Sequence, residues 1–172
     1  MDKNILIFTG NGKGKSTAAF GMALRARGHN HRVMIIQFIK NDTGVGELGS
    51  LQKLGVSIVQ TGRGFIPSPG SPRYAEHQET AQEGFTLACE ALQSSNYDLI
   101  VLDEICGAVA KGLLDEQKVI DAIVDAPAPL NIVLTGRGAT ERMIAIADTV
   151  SEIKPLKHAL EQGIPAREGV EF

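Results

Sequence analysis

Residues 5–16 read Ile5-Leu6-Ile7-Phe8-Thr9-Gly10-Asn11-Gly12-Lys13-Gly14-Lys15-Ser16, and Thr17-Ala18-Ala19-Phe20-Gly21 follow. An apolar run, a glycine-rich loop and a set of helix formers make a strand, a turn and the start of a helix. Such a unit can cradle a triphosphate. Glycines let backbone N–H groups approach phosphate oxygens without a Cβ in the way, and the positive end of the following helix faces the same anion. Lys15 adds a point charge, and Ser16 a hydroxyl that can reach Mg²⁺. The candidate nucleotide-binding residues are therefore Gly10, Asn11, Gly12, Lys13, Gly14, Lys15, Ser16 and Thr17. The usual pattern has glycine five residues before Gly14, where this chain has Thr9. The loop is a variant, with its glycines at 10, 12 and 14.

Outward from that loop, strand-like runs recur at residues 4–9, 32–38, 56–60, 98–102, 131–135 and 149–153. Helical stretches lie between them at 15–27, 73–93, 116–125 and 140–147. Several of the strands are apolar on both faces, as strands buried between two helix layers must be. The alternation predicts an α/β domain with a mainly parallel sheet of about six strands flanked by helices. Ligands in such folds bind beyond the carboxyl ends of strands, and the polar motifs sit there. Residues 10–16 follow the first strand, Asp103-Glu104 the fourth, and Gly136-Arg137-Gly138 the fifth. Two connections, 41–49 and 61–72, are long and rich in glycine or proline, which suits substrate lids or disorder.

The whole chain restricts the possibilities. Its 172 residues suit one domain, 1–172, with a substantial core. A formal net charge of −3 argues against nucleic acid as the main partner. Cys89 and Cys106 have no metal-ligand spacing and read as reduced core residues. No apolar run approaches the length of a membrane span and no leader pattern opens the chain, so the expected location is cytoplasmic.

Leu99-Ile100-Val101-Leu102-Asp103-Glu104 is an apolar strand ending in two acids. Beside a phosphate loop, Asp103 or Glu104 can hold Mg²⁺ directly or through water. Arg137 can neutralise phosphate charge or brace its loop; a surface ion pair is the alternative. His29, His31, His77 and His158 have no partners at metal spacing. Glu76, Glu79 and Glu83 make a wet helix face. These residues define a Mg²⁺-dependent P-loop nucleotide-binding enzyme and leave its second substrate open. A small-molecule kinase or ATPase and a non-catalytic nucleotide-gated carrier both fit the same residues.

The chain resembles the P-loop corrinoid adenosyltransferases, which convert cob(I)alamin to adenosylcobalamin. The matching pieces run from Thr9–Gly21 through Val33–Lys40, Gly64-Phe65, Val101–Glu104, Leu134–Gly138 and Ala147–Glu152. They end with Lys157-His158-Ala159, Gly163 and Glu168-Gly169-Val170-Glu171-Phe172. The resemblance implies a RecA-like P-loop fold and a homodimer. It implies ATP as co-substrate with its triphosphate reversed in the loop, a reduced corrinoid as substrate, and Mg²⁺ (or Mn²⁺) near Ser16 and Glu104. A flavoprotein or flavodoxin-type reductant would supply Co(I). Lys15, Phe65 and Glu104 are the implied catalytic residues, Phe65 by pressing on the corrin. Family members often have Gly-Phe-Thr-Trp-Glu in the lid; this chain has Gly64-Phe65-Ile66-Pro67-Ser68 and no tryptophan.

Overall fold

Strands β1 (Asn4–Thr9), β2 (Val33–Gln37), β3 (Ser57–Gln60), β4 (Leu99–Asp103), β5 (Asn131–Thr135) and β6 (Thr149–Glu152) form one sheet in the order β3-β2-β4-β5-β1-β6. All the pairings are parallel. The structure is a computed structural model that describes residues 2–171. Met1 and Phe172, the latter closing the C-terminal stretch quoted above, lie outside the described residues. The helices are α1 (Lys15–Gly28), α2 (Gly46–Lys53), α3 (Pro72–Gln93), α4 (Ile105–Ala110), α5 (Glu116–Val124) and α6 (Glu141–Ala145), with a 3₁₀ turn at Ala159–Gln162.

Strand alternation divides the apolar residues between two layers. Ile5, Ile7, Met34, Ile36, Ile100, Leu102, Ile132 and Leu134 face one side, where Ala81, Phe85, Ala88 and Leu92 of α3 and Val119, Ile120 and Ile123 of α5 cover them. Val33, Ile35, Leu99, Val101 and Val133 face the other, under Ala19, Phe20 and Ala23 of α1 and Leu51 of α2. Strands β2 and β4 are buried at every residue, which is the physical meaning of their unbroken apolar runs.

Caps set the helix starts. The Ser71 side chain accepts from the Arg73 N–H, with Pro72 in the first turn. Asp115 accepts from the Lys118 N–H at 2.9 Å and Thr140 from the Met143 N–H at 3.1 Å. Two helices lie outside the sequence expectation. The connection 41–49 contains the start of α2, because Leu48 and Leu51 are buried. That packing outweighs the helix cost of Gly46 and Gly49, about 1 kcal/mol each. Helix α4 follows Glu104 directly and is buried at five of its six residues. So short an apolar run carries no helical period to read.

Between its first two strands the chain skips two sheet positions, which β4 and β5 later fill. The carboxyl ends of β1, β4 and β5 therefore open side by side, and the three motifs meet there.

Candidate active site

The loop after β1 is shaped by its neighbours as well as by its own glycines. The Gly12 N–H donates to the Ile153 carbonyl at 2.7 Å. A Cβ on Gly10 would lie 2.5 Å from that oxygen, and one on Gly12 would lie 2.8 Å from it. These two glycines let the segment after β6 pass close by. Gly14 has φ of 113° and opens α1, a backbone that favours glycine. Thr9, where the usual pattern has glycine, is a sheet residue with two ties. Its hydroxyl accepts from the Ala139 N–H at 3.3 Å and its carbonyl from the Ile153 N–H at 2.8 Å.

Lys15 starts α1 and folds back, its ammonium donating to the Gly12 carbonyl at 2.8 Å. The residue is only 6% exposed. Burial lowers its pKa; Glu104 opposes this, Arg137 adds to it, and Asp103 opposes it. A partly desolvated ammonium inside its own loop is poised to exchange a carbonyl for a phosphate oxygen.

The acids have different positions. Asp103 ends β4 and is fully buried. Its carboxylate accepts from the Thr135 hydroxyl at 2.7 Å and from the Gln37 amide at 2.9 Å, and Lys40 stands 3.7 Å away. The same Thr135 hydroxyl accepts the Glu104 N–H at 2.8 Å. That bond holds Glu104 at φ 65°, a left-handed backbone that is strained for glutamate. Its side chain lines the cavity. Burial pushes the Glu104 pKa up, and Asp103 pushes it further; Lys15, Lys40 and Arg137 oppose both. Among the described residues no donor reaches the Glu104 carboxylate.

One cavity of about 780 Å³ collects these groups. Residues 11–17 form one wall, and Phe20, Leu24, Leu51 and Leu54 an apolar one. Lys40, Glu47, Glu104 and Arg137 stand between them, and Gly169, Val170 and Glu171 close one side. The size suits a nucleotide. Arg137 is exposed, and no ion pair holds it among the described residues. Gly10 does not line this cavity; it borders a separate hollow of about 510 Å³ with Thr9, Asn11 and Glu152. Asp103 lies behind the wall.

Ser16 and Glu104 present only oxygen donors, which fits Mg²⁺ or Mn²⁺. An ionisable carboxylate with no donor among the described residues fits a cation partner. Among the described residues there is no cluster of three or more His, Cys, Asp or Glu side chains that could cage a metal. A Mg²⁺ here would complete its shell with phosphate oxygens and water, its common habit.

Phe65 is 93% exposed and does not line the cavity. Its loop hangs on the segment after β2 through the Gly64 N–H to Ile39 carbonyl bond of 2.7 Å. His29 and His31 are exposed, His77 is buried within α3, and His158 borders the cavity. Glu76, Glu79 and Glu83 are exposed. Cys89 and Cys106 are free thiols.

Sequence reasoning missed Gln37, Lys40 and Thr135 as parts of the site. Lys40 stands 3.7 Å from both Glu47 and Asp103 and 5.5 Å from the Phe20 ring centre. The signal for Gln37 and Thr135 was a polar residue ending a buried, mainly apolar strand, as in Val33-Met34-Ile35-Ile36-Gln37 and Asn131-Ile132-Val133-Leu134-Thr135. Such a residue needs a partner.

The family described as ATP:corrinoid adenosyltransferase BtuR/CobO/CobP matches residues 2–172. The corrinoid adenosyltransferase of Escherichia coli (strain K12) is 38% identical over 170 residues, covering 98% of this chain and 85% of that protein. Corrinoid adenosyltransferase CobA of Salmonella typhimurium is 38% identical over 176 residues, with coverage of 98% and 85%. The corrinoid adenosyltransferase of Pseudomonas aeruginosa is 39% identical over 170 residues, with coverage of 98% and 83%. Among solved structures, the type III secretion ATPase EscN in complex with its stalk EscO, from enteropathogenic E. coli, aligns with a TM-score of 0.48 at 17% identity. That alignment covers 94% of this chain and 43% of EscN.

Proposed function

The chain belongs to the ATP:corrinoid adenosyltransferase family, and from that membership we propose how its residues divide the work. The enzyme transfers the adenosyl group of ATP to a corrinoid. The cobalt of the reduced corrinoid, Co(I), is the nucleophile. Its electron pair attacks C5′ of the ribose, the Co–C bond forms, and the C5′–O bond breaks. The leaving pair stays on the triphosphate, and cobalt ends as Co(III). With so strong a nucleophile no general base is needed.

The protein then has two tasks: to hold C5′ over cobalt, and to stabilise charge growing on the leaving triphosphate. Residues 11–17 and Arg137 serve the second task, with the Lys15 ammonium folded back onto the Gly12 carbonyl. Ser16 and Glu104 would hold Mg²⁺ or Mn²⁺, and Asp103, fully buried, acts through the Thr135 hydroxyl, which donates to it and accepts the Glu104 N–H. The metal, when bound, supplies further neutralisation of the phosphates. Phe65, 93% exposed, would lie against a corrin face and keep a lower axial ligand off cobalt. A flavoprotein reductant supplies Co(I). A second copy of the chain completes a homodimer.

The observation carrying this reading is a cavity where the phosphate loop meets a carboxylate and a guanidinium that have no hydrogen-bond or ion-pair partner among the described residues. The test is phosphorus NMR of a single-turnover mixture of the protein, ATP, Mg²⁺ and chemically reduced cobalamin. Inorganic triphosphate is the expected product. ADP in stoichiometric amount would move the chain to the kinase or ATPase reading, and bound ATP with no product to the carrier reading.

A further inference from the structure

Lys13, in the middle of the phosphate loop, already has an anion. Its ammonium lies 2.5 Å from one oxygen of the Glu171 carboxylate and 3.0 Å from the Val170 carbonyl. The second Glu171 oxygen accepts the Arg167 N–H at 2.8 Å. An ammonium on one oxygen and a backbone amide on another is the hydrogen-bonding environment a phosphate would receive. The contact with Lys13 also holds the Glu171 carboxyl below its usual pKa, the Arg167 amide adding to the effect, so the group is ionised at neutral pH.

The segment carrying this carboxylate is cheap to move. All residues from 161 to 171 are exposed, so its removal uncovers little apolar surface. Its internal order is one short turn, with the Val170 and Glu171 N–H groups both donating to the Arg167 carbonyl. Yet Gly169, Val170 and Glu171 line the same cavity as residues 11–17. A polyanion entering that cavity meets a fixed negative charge on a lysine it would itself bind.

We propose that residues 167–171 form a displaceable strap whose Glu171 carboxylate occupies the phosphate position at Lys13 until a triphosphate drives it off. This inference rests on the reading of residues 11–17 as the triphosphate cradle. Binding then carries a population tax, because only the strap-open fraction accepts ligand at full affinity. The strap also sets a threshold against weaker anions: a single phosphate group competes poorly with a tethered carboxylate, whereas a triphosphate brings several charges at once.

The experiment is calorimetric titration of the full chain with inorganic triphosphate and Mg²⁺, for the parent, Glu171→Gln and Glu168→Gln. Glu168 lies in the same segment and makes no contact with Lys13, so its variant removes an equal charge without opening the strap. Glu171→Gln is expected to tighten binding about two- to fivefold, the scale of an exposed ion pair. Glu168→Gln is expected to change it by less than about 1.5-fold, since solvent screens that charge. Amide hydrogen exchange at residues 167–171 should speed up when triphosphate is added to the parent. Unchanged or weaker binding by Glu171→Gln, equal tightening by both variants, or slower exchange with ligand would each overturn the strap. A parent chain that binds no triphosphate would overturn the cradle itself, and the strap with it.

Discussion

Replacing Thr135 by valine keeps the side-chain shape and removes one hydroxyl. In this fold that hydroxyl has two jobs, donating to Asp103 at 2.7 Å and accepting the Glu104 N–H at 2.8 Å. Thr135 and Asp103 are both fully buried, so water cannot replace either bond. Loss of a hydrogen bond to a charged group costs about 1.5–3 kcal/mol, and an orphaned amide about 1 kcal/mol or more. Thr135→Val should therefore destabilise the protein by about 3 kcal/mol, which for a chain of this size is roughly 6–12 °C in Tm. Function should fall as well. Glu104 keeps its φ of 65° against about 1–3 kcal/mol of strain, and the Thr135 bond is its anchor. Released, the residue relaxes and its carboxylate leaves the cavity; misplacement on the ångström scale costs on the order of a hundredfold in rate. Urea unfolding and turnover with ATP and pre-reduced cobalamin measure the two effects. Thr135→Ser should restore both. If Thr135→Val stays within about 0.5 kcal/mol of the parent and turns over normally, this hydroxyl does not hold the two acids, and the account of the site is wrong at its centre.

Lys15→Ala should lower turnover about a hundred- to thousandfold, the scale of one preorganised donor lost, with circular dichroism unchanged; near-normal turnover by the folded variant would remove the loop from the phosphate site. Alanine at Ser16 and at Glu104 should each raise the Mg²⁺ requirement, and the double variant should lose less than the sum, because residues sharing one ligand couple. Clean additivity in that cycle would assign them separate roles. Phe65→Ala should impair reaction started from Co(II) far more than reaction started from Co(I), with ATP affinity unchanged; equal losses would mean Phe65 only supports its loop. Asp98 is held down to about 2 from 3.8, first by its side-chain hydrogen bond from Arg32 and then by the Arg32 backbone N–H. A carboxylate depressed in the folded state contributes stability above its unfolded pKa and loses it as pH falls through the folded one. Asp98→Asn should therefore flatten the stability curve between about pH 4 and 2, by about 1 kcal/mol or less because the pair is partly exposed. An unchanged acid limb would refute the assignment.

The strands and the long helices were legible because burial imposes a period that sequence records. Residues 99–102 are apolar throughout because both faces are covered, and Ser71-Pro72 signals the start of α3 in local chemistry alone. Helices α2 and α4 were not legible: one carries two glycines and the other has too few residues for a period, and each forms because neighbouring layers bury it. Among the residues lining the cavity, 11–17, Glu104 and Arg137 could be named from their place after strands; Gly10, named with them, borders a separate hollow. Gln37, Thr135 and Lys40 could not be given roles, since each acts on a residue far away in sequence.

The sequence alone determined the α/β class, the phosphate loop, the acids at the end of the fourth strand and the family, because each is written in contiguous residues or in an ordered set of short ones. Only the tertiary structure decided how those pieces act. It separated Asp103, caged by Gln37 and Thr135, from Glu104, which lines the cavity with no donor among the described residues. It turned Gly10 and Gly12 toward Ile153, and it laid Glu171 on Lys13. Each of these depends on a distance between residues remote along the chain, set by which strands lie side by side, and no local pattern records that order.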